Sequence, residues 1–183
     1  MPVIHNTINQ QFMKIVLLGY MGSGKSTVAK QVAIALNIPF IDLDDYIVEH
    51  EKKSIASIFK TRGEIYFRLQ ESKYLQQLLD KGEDLVLALG GGTPCYAKNI
   101  DLIGNASESF YLKASIKTLS ERLVKEKEQR PLISSFDDEQ LNEFIAKHLF
   151  ERRNFYEQSK HTIAIDGKTI EEIVEEIRTM LKN

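Results

Sequence analysis

The sequence predicts an α/β sandwich built on a parallel sheet, and three observations support this prediction. Short apolar runs of strand length alternate along the chain with longer segments of helical periodicity. The first run leads directly into a glycine-rich loop with a phosphate-binding pattern. The segments between consecutive runs are long enough to hold the crossover helices that parallel pairing requires.

Five strands are predicted from apolar runs that are bounded by turn residues. They cover residues 14–19, 39–42, 85–89, 109–113 and 161–165. Within the first run, KIVLLG, residues 15–18 are continuously apolar rather than alternating. Such a run is typical of a parallel strand that is covered on both faces, so this strand is expected to be buried.

Helices are predicted between and after these strands. They cover about 25–36, 44–51, 54–60, 64–80, 115–124, 137–158 and 170–181. Asn37 is the expected end of the first helix, and Gly63 separates the third from the fourth. Thr169 and Glu172 form a capping box at the start of the last helix. The polar stretch 125–136 has no periodicity and predicts a mobile loop.

The segment between the second and third strands holds more helix than one crossover needs. In its last helix, the apolar residues that fall at helical spacing predict one buried face. These residues are Ile65, Leu69, Leu75, Leu78 and Leu79. The excess length predicts a lobe that is inserted between the two strands.

Composition excludes several classes of protein. The 183 residues are 43% hydrophobic and 27% charged, which is typical of a globular domain rather than a disordered chain. The net charge of −2 excludes a surface that binds nucleic acid non-specifically. One cysteine, Cys95, cannot form an intramolecular disulfide and indicates a reducing cytoplasm. The four scattered histidines have no zinc-ligand spacing.

The start of the chain and its apolar runs carry no targeting or membrane signal. No run approaches the roughly 18 apolar residues of a membrane-spanning helix. Residues 1–12 lack the basic start and apolar stretch of a secretory signal. They are expected to be a disordered leader, or else Met13 is the native start.

The loop GYMGSGKS (19–26) fits the phosphate-loop pattern G-x-x-x-x-G-K-[ST]. Its glycines allow backbone N–H groups to converge on phosphate oxygens, and the start of the following helix adds a positive dipole end. In this pattern Lys25 reaches the β- and γ-phosphates and the Ser26 hydroxyl ligates Mg²⁺. The loop therefore predicts nucleotide binding, but switches, motors, transporters and small-molecule kinases all share it.

Carboxylates stand at the end of the second predicted strand, where open α/β sheets bind ligands. Of Asp42, Asp44 and Asp45, one could hold a water of the Mg²⁺ shell and another could accept a substrate hydroxyl. Helix capping by Asp44 or Asp45 explains the same residues equally well. Arg68 lies at helical spacing from Glu64 and Glu71, and a solvated surface trio is the simpler explanation for it.

Three later features also bear on a functional role: a glycine run, an arginine and the cysteine. Gly90, Gly91 and Gly92 form a run that is longer than a plain turn needs and favours close approach of a ligand. Arg130 could fold over the phosphates or remain an ordinary loop charge. Cys95 is expected to be a structural thiol without special reactivity.

Taken together, these segments resemble the shikimate kinase family. The resemblance is carried by GYMGSGKST (19–27), FIDLDDYI (40–47), SIASIFKTRGEIYFRLQE (54–71), LALGGGTP (87–94) and RPLI (130–133). It implies a fold like that of the P-loop nucleoside monophosphate kinases, a three-layer sandwich whose five parallel strands have the order 2-3-1-4-5. It also implies a single kinase domain at 13–183, with a substrate lobe at about 44–72 and a lid at about 125–137.

The resemblance implies a role for each matched residue on the substrate side. Asp44 binds the ring hydroxyls of shikimate and is the candidate base, and Asp42 supports the Mg²⁺ shell through water. Arg68 grips the substrate carboxylate with support from Glu71, and Arg152 is the second carboxylate-binding arginine. At 152–156 the sequence RRNFY departs from the usual R-x-P-L-Y, since Asn154 replaces proline. The glycine run 90–92 contacts the substrate through backbone N–H groups.

On the nucleotide side, the resemblance assigns the catalytic residues Lys25 and Arg130 together with Asp44. The implied ATP-binding residues are Gly22, Ser23, Gly24, Lys25, Ser26, Thr27, Arg122, Arg130 and Lys168. The metal ligands are Ser26 and, through water, Asp42. The implied reaction is transfer of the γ-phosphoryl group of ATP to the 3-hydroxyl of shikimate, in chorismate and aromatic amino acid biosynthesis, by a cytoplasmic monomer.

Two alternative functions remain open. A kinase of the same fold could act on a sugar acid such as gluconate, or on a nucleotide, but it would need a different set of lobe residues. A non-catalytic nucleotide-binding switch usually carries an N-K-x-D segment, which this sequence lacks. No nucleic-acid or membrane partner is predicted.

Overall fold

The computed structural model describes residues 12–126 and 133–182. The strands are β1 Lys14–Leu18, β2 Phe40–Asp42, β3 Leu85–Ala88, β4 Glu108–Lys113 and β5 His161–Ala164. The helices are α1 Lys25–Leu36, α2 Leu43–Glu51, α3 Ile55–Leu79, α4 Asn99–Ala106, α5 Ile116–Lys125, α6 Asp138–Tyr156 and α7 Ile170–Met180. A 3₁₀ turn covers Thr93–Cys95.

The five strands form one parallel sheet with the order β2-β3-β1-β4-β5. The fold class and the strand order are therefore confirmed. At the centre, Val16 of β1 pairs with Leu87 of β3 on one side and Ser109 of β4 on the other. Because all strands run in one direction, the carboxyl ends of β1, β2 and β3 meet at one edge of the sheet. The phosphate loop, the aspartates and the glycine run all begin there.

Helices cover the sheet, and this explains why its central strands are continuously apolar. Every residue of β1 and β3 is buried, and α1 packs against α7 and β3. A parallel strand with both faces covered cannot use polar alternation. Lys14 is the one charged residue of β1. Its ammonium group donates a hydrogen bond to the Glu83 carbonyl at the amino end of the sheet. Among the described helices, none has the length and apolarity needed to cross a membrane.

The ends of α1 match the expected signals. Gly24 precedes the helix with φ 86°, a left-handed conformation that favours glycine. Asn37 follows it with φ 54° and donates its backbone N–H to the last turn. The capping box that was predicted for α7 is also present, with both the Thr169 and Glu172 side chains engaged.

Helix α3 is broken at Gly63, as the Arg62-Gly63 signal predicts. Gly63 has φ 82° and ψ 170°, so two helical segments meet there at a kink. The predicted apolar face is wrong in its first turns, because Ile65 is 74% and Leu69 55% exposed. The buried stripe runs instead through Phe67 and Glu71, the face that borders the site.

Helix α4 has no counterpart among the predicted elements. It has only eight residues, Lys98 caps it without a side-chain hydrogen bond, and Gly104 lies within it. These features remove the usual start signal and weaken the helical pattern. Ile100 and Ile103 attach it to the rest of the fold.

Candidate active site

The phosphate loop connects β1 to α1 at the carboxyl edge of the sheet. The Lys25 side chain is buried and its Nζ donates a hydrogen bond of 2.9 Å to the Tyr20 carbonyl. The loop is further closed by the Ser23 N–H, which donates to the same carbonyl at 3.2 Å. This arrangement folds the loop around the start of α1, where N–H groups and the helix dipole favour an anion.

Ser26 and Asp42 lie together beside the loop. The Ser26 hydroxyl donates a hydrogen bond of 2.5 Å to Asp42 Oδ2. The other oxygen of Asp42 accepts the Asp44 N–H at 3.0 Å and caps α2. The capping residue is thus Asp42, neither of the two aspartates considered from the sequence. A hydroxyl and a carboxylate oxygen are hard donors that suit Mg²⁺. Within the described residues no cluster of three His, Cys, Asp or Glu side chains that could hold a metal ion occurs.

Asp44 lies in the cleft between the phosphate loop and the glycine run. A Cβ atom at Gly90 would lie 3.0 Å from Asp44 Oδ1 and 3.2 Å from Glu71 Oε1, so the two carboxylates face the same backbone. Burial raises the pKa of Asp44 to about 6, and the charges of Asp42 and Glu71 add to the rise. Lys25 and Arg68 act in the opposite direction. The pKa of the Asp44 carboxyl group is therefore much closer to neutral pH than that of an ordinary aspartate.

Arg68 is held in place by the buried carboxylate of Glu71. Its Nη1 donates to Glu71 Oε2 at 2.8 Å, and Glu71 is only 1% exposed. The other Glu71 oxygen accepts the Thr93 hydroxyl at 2.5 Å. The Asn99 side chain in turn donates to the Thr93 carbonyl at 2.9 Å. Glu64, which the sequence also pairs with Arg68, is 3.6 Å away and exposed.

Two arginines lie close to the glycine run 90–92. A Cβ atom at Gly92 would lie 2.7 Å from Nη2 of Arg68, and one at Gly91 would lie 3.5 Å from Nη1 of Arg152. A side chain at Gly92 would therefore displace the Arg68 guanidinium. The Gly91 carbonyl also accepts the Tyr156 hydroxyl at 2.6 Å, which ties α6 to the run.

Arg152 and Arg153 point in different directions. Arg152 is half-buried and its guanidinium carbon lies 5.6 Å from the centroid of the Tyr20 ring. Arg153 is exposed and pairs with Glu157 at 2.8 Å. Of the two neighbours, only Arg152 faces the cleft.

A cavity of about 470 Å³ connects Asp44, Gly90 and Gly91 to the nucleotide side. Its lining includes the phosphate loop from Gly22 to Thr27, Asp42, Asp44, Gly90, Gly91, Arg122, Glu126, Lys168, Ile170 and Ile173. Arg122 Nη1 donates to the Gly22 carbonyl at 3.2 Å. The Lys168 ammonium group forms an ion pair with Glu176, which the sequence did not predict. The apolar side chains of Ile170 and Ile173 give this end of the cavity a surface suited to a base.

Comparisons with known proteins agree with this geometry. The family model for shikimate kinase matches residues 21–182. The chain belongs to the shikimate kinase family. It is 50% identical over 169 residues to a shikimate kinase of Flavobacterium johnsoniae, covering 92% of this chain and 98% of the relative. A shikimate kinase of Bacteroides fragilis is 37% identical over 173 residues, covering 92% and 96%.

Solved structures give the same family. The structure of a shikimate kinase from Bacteroides thetaiotaomicron has a TM-score of 0.87 at 35% identity and covers 93% of this chain and 99% of its own. A shikimate kinase from Acinetobacter baumannii in complex with shikimate has a TM-score of 0.83 at 27% identity, with 93% of both chains covered. As a shikimate kinase homologue, the protein is an ATP-dependent kinase.

The shikimate kinase residues expected from the sequence largely converge in the structure. Asp44, Arg68, Glu71 and Arg152 all lie beside the glycine run. The phosphate-loop residues and Arg122 line the adjoining cavity. Arg130, the expected lid arginine, lies outside the described residues.

Several supporting residues of this shikimate kinase site were not predicted. Thr93 and Asn99 support Glu71, and Tyr20 contacts Arg152 from within the phosphate loop. Thr93 lies directly after the glycine run, so a hydroxyl at that position is a usable sequence signal. Tyr20 occupies a position where the loop pattern accepts any residue, and no local signal marks it. Burial raises the pKa of the Cys95 thiol to about 11, in agreement with an unreactive structural cysteine.

Proposed function

We propose that the protein transfers the γ-phosphoryl group of ATP to the 3-hydroxyl of shikimate. One observation carries this assignment: two arginines lie beside the glycine run, and a half-buried aspartate lies in the cleft that this run and the phosphate loop line. Shikimate has one carboxylate and three hydroxyl groups. Guanidinium groups suit the carboxylate, and a carboxylate side chain suits the hydroxyls.

Arg68 and Arg152 hold the substrate carboxylate. The bond to buried Glu71 fixes the plane of the Arg68 guanidinium and leaves its outer N–H groups directed at the cleft beside Gly92. A fixed fork loses little further entropy when it binds a carboxylate bidentately. Backbone N–H groups of the run 90–92 complete the substrate contacts.

Asp44 orients the 3-hydroxyl and accepts its proton. The hydroxyl oxygen attacks the γ-phosphorus, the bond from that phosphorus to the bridging oxygen breaks, and ADP leaves. With a pKa of about 6, Asp44 is ionised at neutral pH and still has appreciable proton affinity. Its place between Lys25 and Arg68 keeps the proton acceptor close to the charges that bind both reactants.

The nucleotide is bound by Gly22 to Thr27 and by Arg122, Arg130 and Lys168. Lys25 releases the Tyr20 carbonyl and turns to the β- and γ-phosphates, a short movement for a flexible side chain. Ser26 and Asp42 are the residues that would hold Mg²⁺, Asp42 through water, and the ion when bound neutralises phosphate charge. Arg130 stabilises charge on the transferred group from the lid.

The proposal extends to the organisation of the chain. Residues 13–183 form a single kinase domain that acts as a monomer, with a substrate lobe at about 44–72 and a lid at about 125–137. The packing of α2 against α3 and the kink within α3 at Gly63 support the lobe assignment. The unpaired and half-buried Cys95 supports a reducing cytoplasm as its location.

A substrate panel with one matched pair of variants tests the function. ADP release is measured with ATP, Mg²⁺ and shikimate, quinate, gluconate or nucleoside monophosphates, and only shikimate is expected to give rapid turnover. Arg68→Lys is expected to raise KM for shikimate by about 10- to 100-fold, because a bidentate charged contact becomes a single one. KM for ATP is expected to change less than threefold.

Arg153→Lys is the control, since Arg153 is exposed and pairs with Glu157 on the far side of α6. It is expected to leave both KM values within about twofold. Faster turnover of another acceptor than of shikimate would overturn the function. An equal loss of ATP and shikimate affinity in Arg68→Lys would overturn the carboxylate role.

A further inference from the structure

Tyr20 is a large aromatic residue buried inside the phosphate loop. It is 1% exposed, although the loop pattern places no demand on this position. A buried tyrosine hydroxyl needs a hydrogen-bond partner. Tyr20 Oη shares a hydrogen bond of 3.2 Å with His148 Nδ1 on α6. The loop is thereby joined to a helix that lies more than a hundred residues away in the sequence.

One face of α6 carries the groups that meet Tyr20 and the glycine run. Phe144, His148, Arg152 and Tyr156 follow one another at four-residue intervals and therefore share this face. Phe144 packs on the His148 ring with centroids 4.1 Å apart, and Tyr156 binds the Gly91 carbonyl. Arg152 lies between them, so its neighbours along the helix are both fixed.

Arg152 differs from Arg68 in how it is held. Arg68 has the buried carboxylate of Glu71 at 2.8 Å. For Arg152, no carboxylate within ion-pair distance is found in the described part of the chain. Its guanidinium carbon lies 5.6 Å from the Tyr20 ring centroid, within the range of a cation–π contact. Burial and the Arg152 charge also lower the pKa of His148, which favours a neutral ring beside the cation.

We propose that Tyr20 is a positioning residue for Arg152, held in place by its hydrogen bond to His148. The ring offers the guanidinium a flat, electron-rich surface without neutralising its charge. Arg152 is then oriented while its full charge remains available to an incoming carboxylate. An acidic side chain in place of the ring would compete with that carboxylate for the guanidinium. The inference rests on the proposed function, in which that carboxylate belongs to shikimate.

A double-mutant cycle separates positioning from general packing. The variants are Tyr20→Leu, which removes the ring, and Tyr20→Phe, which keeps it, each with and without Arg152→Ala. Shikimate and ATP dissociation constants are measured by NMR titration and calorimetry. Tyr20→Leu is expected to weaken shikimate binding by about 3- to 30-fold, the range of a buried cation–π contact, and ATP binding by less than threefold. The shikimate affinity of Tyr20→Phe is expected to lie between those of Tyr20→Leu and the wild type.

The Arg152→Ala background decides the mechanism. If Tyr20 acts through Arg152, Tyr20→Leu changes shikimate affinity less than twofold once the arginine is gone. Phe110→Leu is the matched control, since it removes a fully buried ring from β4 and is expected to lower Tm without changing shikimate affinity. The same loss from Tyr20→Leu in both backgrounds, or an equal loss of ATP affinity, would overturn the positioning role.

The experiments give different results if the positioning role fails and if the proposed function fails. Turnover of shikimate by the wild type together with additive variants overturns the positioning role alone. Absence of shikimate turnover overturns the proposed function. Unchanged shikimate affinity in Arg152→Ala removes the arginine from the carboxylate site and the positioning role with it.

Discussion

Asp44→Asn is expected to stabilise the protein while it abolishes turnover. The folded protein holds Asp44 in a cleft where burial and two neighbouring carboxylates oppose its charge. Its pKa is thus raised from 3.8 to about 6. A carboxyl group with a raised pKa binds its proton more tightly in the folded state than in the unfolded state. Its contribution to stability is full below pH 4 and is lost as pH rises through about 6.

The size of the effect follows from the shift. Each pKa unit corresponds to about 1.4 kcal/mol. The rise from 3.8 to about 6 therefore lowers the free energy of unfolding by about 3 kcal/mol at pH 8. At pH 5, where the folded group is mostly protonated, the cost is about 1.5 kcal/mol. Asparagine removes the charge at nearly constant volume, so it is expected to recover about these amounts.

The assay is urea unfolding of wild type, Asp44→Asn and Asp45→Asn at pH 5 and pH 8. Asp45 is the control, because it is the adjacent aspartate but is exposed, and its variant is expected to stay within about 0.5 kcal/mol of wild type. In the same proteins, kcat is expected to fall at least ~100-fold for Asp44→Asn only. Equal stabilisation at the two pH values, or destabilisation at pH 8, would refute the reasoning from buried charge.

Two further substitutions test the site. Gly92→Ala is expected to raise KM for shikimate ~10-fold or more, because its Cβ would lie 2.7 Å from Nη2 of Arg68 and would displace the guanidinium. Gly104→Ala, with open space around it, should leave KM unchanged, and steady-state kinetics check both variants. Ser26→Ala is expected to raise the Mg²⁺ concentration for half-maximal activity ~10-fold, since the site loses one oxygen ligand and Asp42 loses its hydroxyl partner. The circular dichroism spectrum should stay native. An unchanged Mg²⁺ titration would contradict the metal role.

Local features were predicted where the chain itself supplies the full signal. The phosphate loop is a run of neighbours between a strand and a helix, so its pattern contains the whole site for an anion. Gly63 and Asn37 act through their own backbone angles, and both interruptions lie where they were predicted. Helix α4 was not predicted, because a short helix without a cap is held by packing of Ile100 and Ile103 rather than by propensity.

The substrate side required more than spacing. By spacing alone, Arg68 belongs to a surface trio, and only the family resemblance pointed to the carboxylate site. The structure supplies the physical cause, a buried Glu71 that is held by Thr93. In the same helix, the spacing of Ile65 and Leu69 wrongly predicted that both are buried. Helical spacing shows which residues share a face, but not whether that face packs against the rest of the fold.

The sequence by itself determined the fold class, the strand order through the family resemblance, and the residues of the nucleotide loop. The family resemblance also favoured Arg152 over its neighbour Arg153. Tertiary structure alone decided that Tyr20 lies against Arg152 and that Arg153 pairs with Glu157 instead. The physical reason is the range of each interaction. Propensity, capping and loop geometry act between neighbours in the chain, whereas burial, pKa and the orientation of a guanidinium depend on groups that only folding brings together.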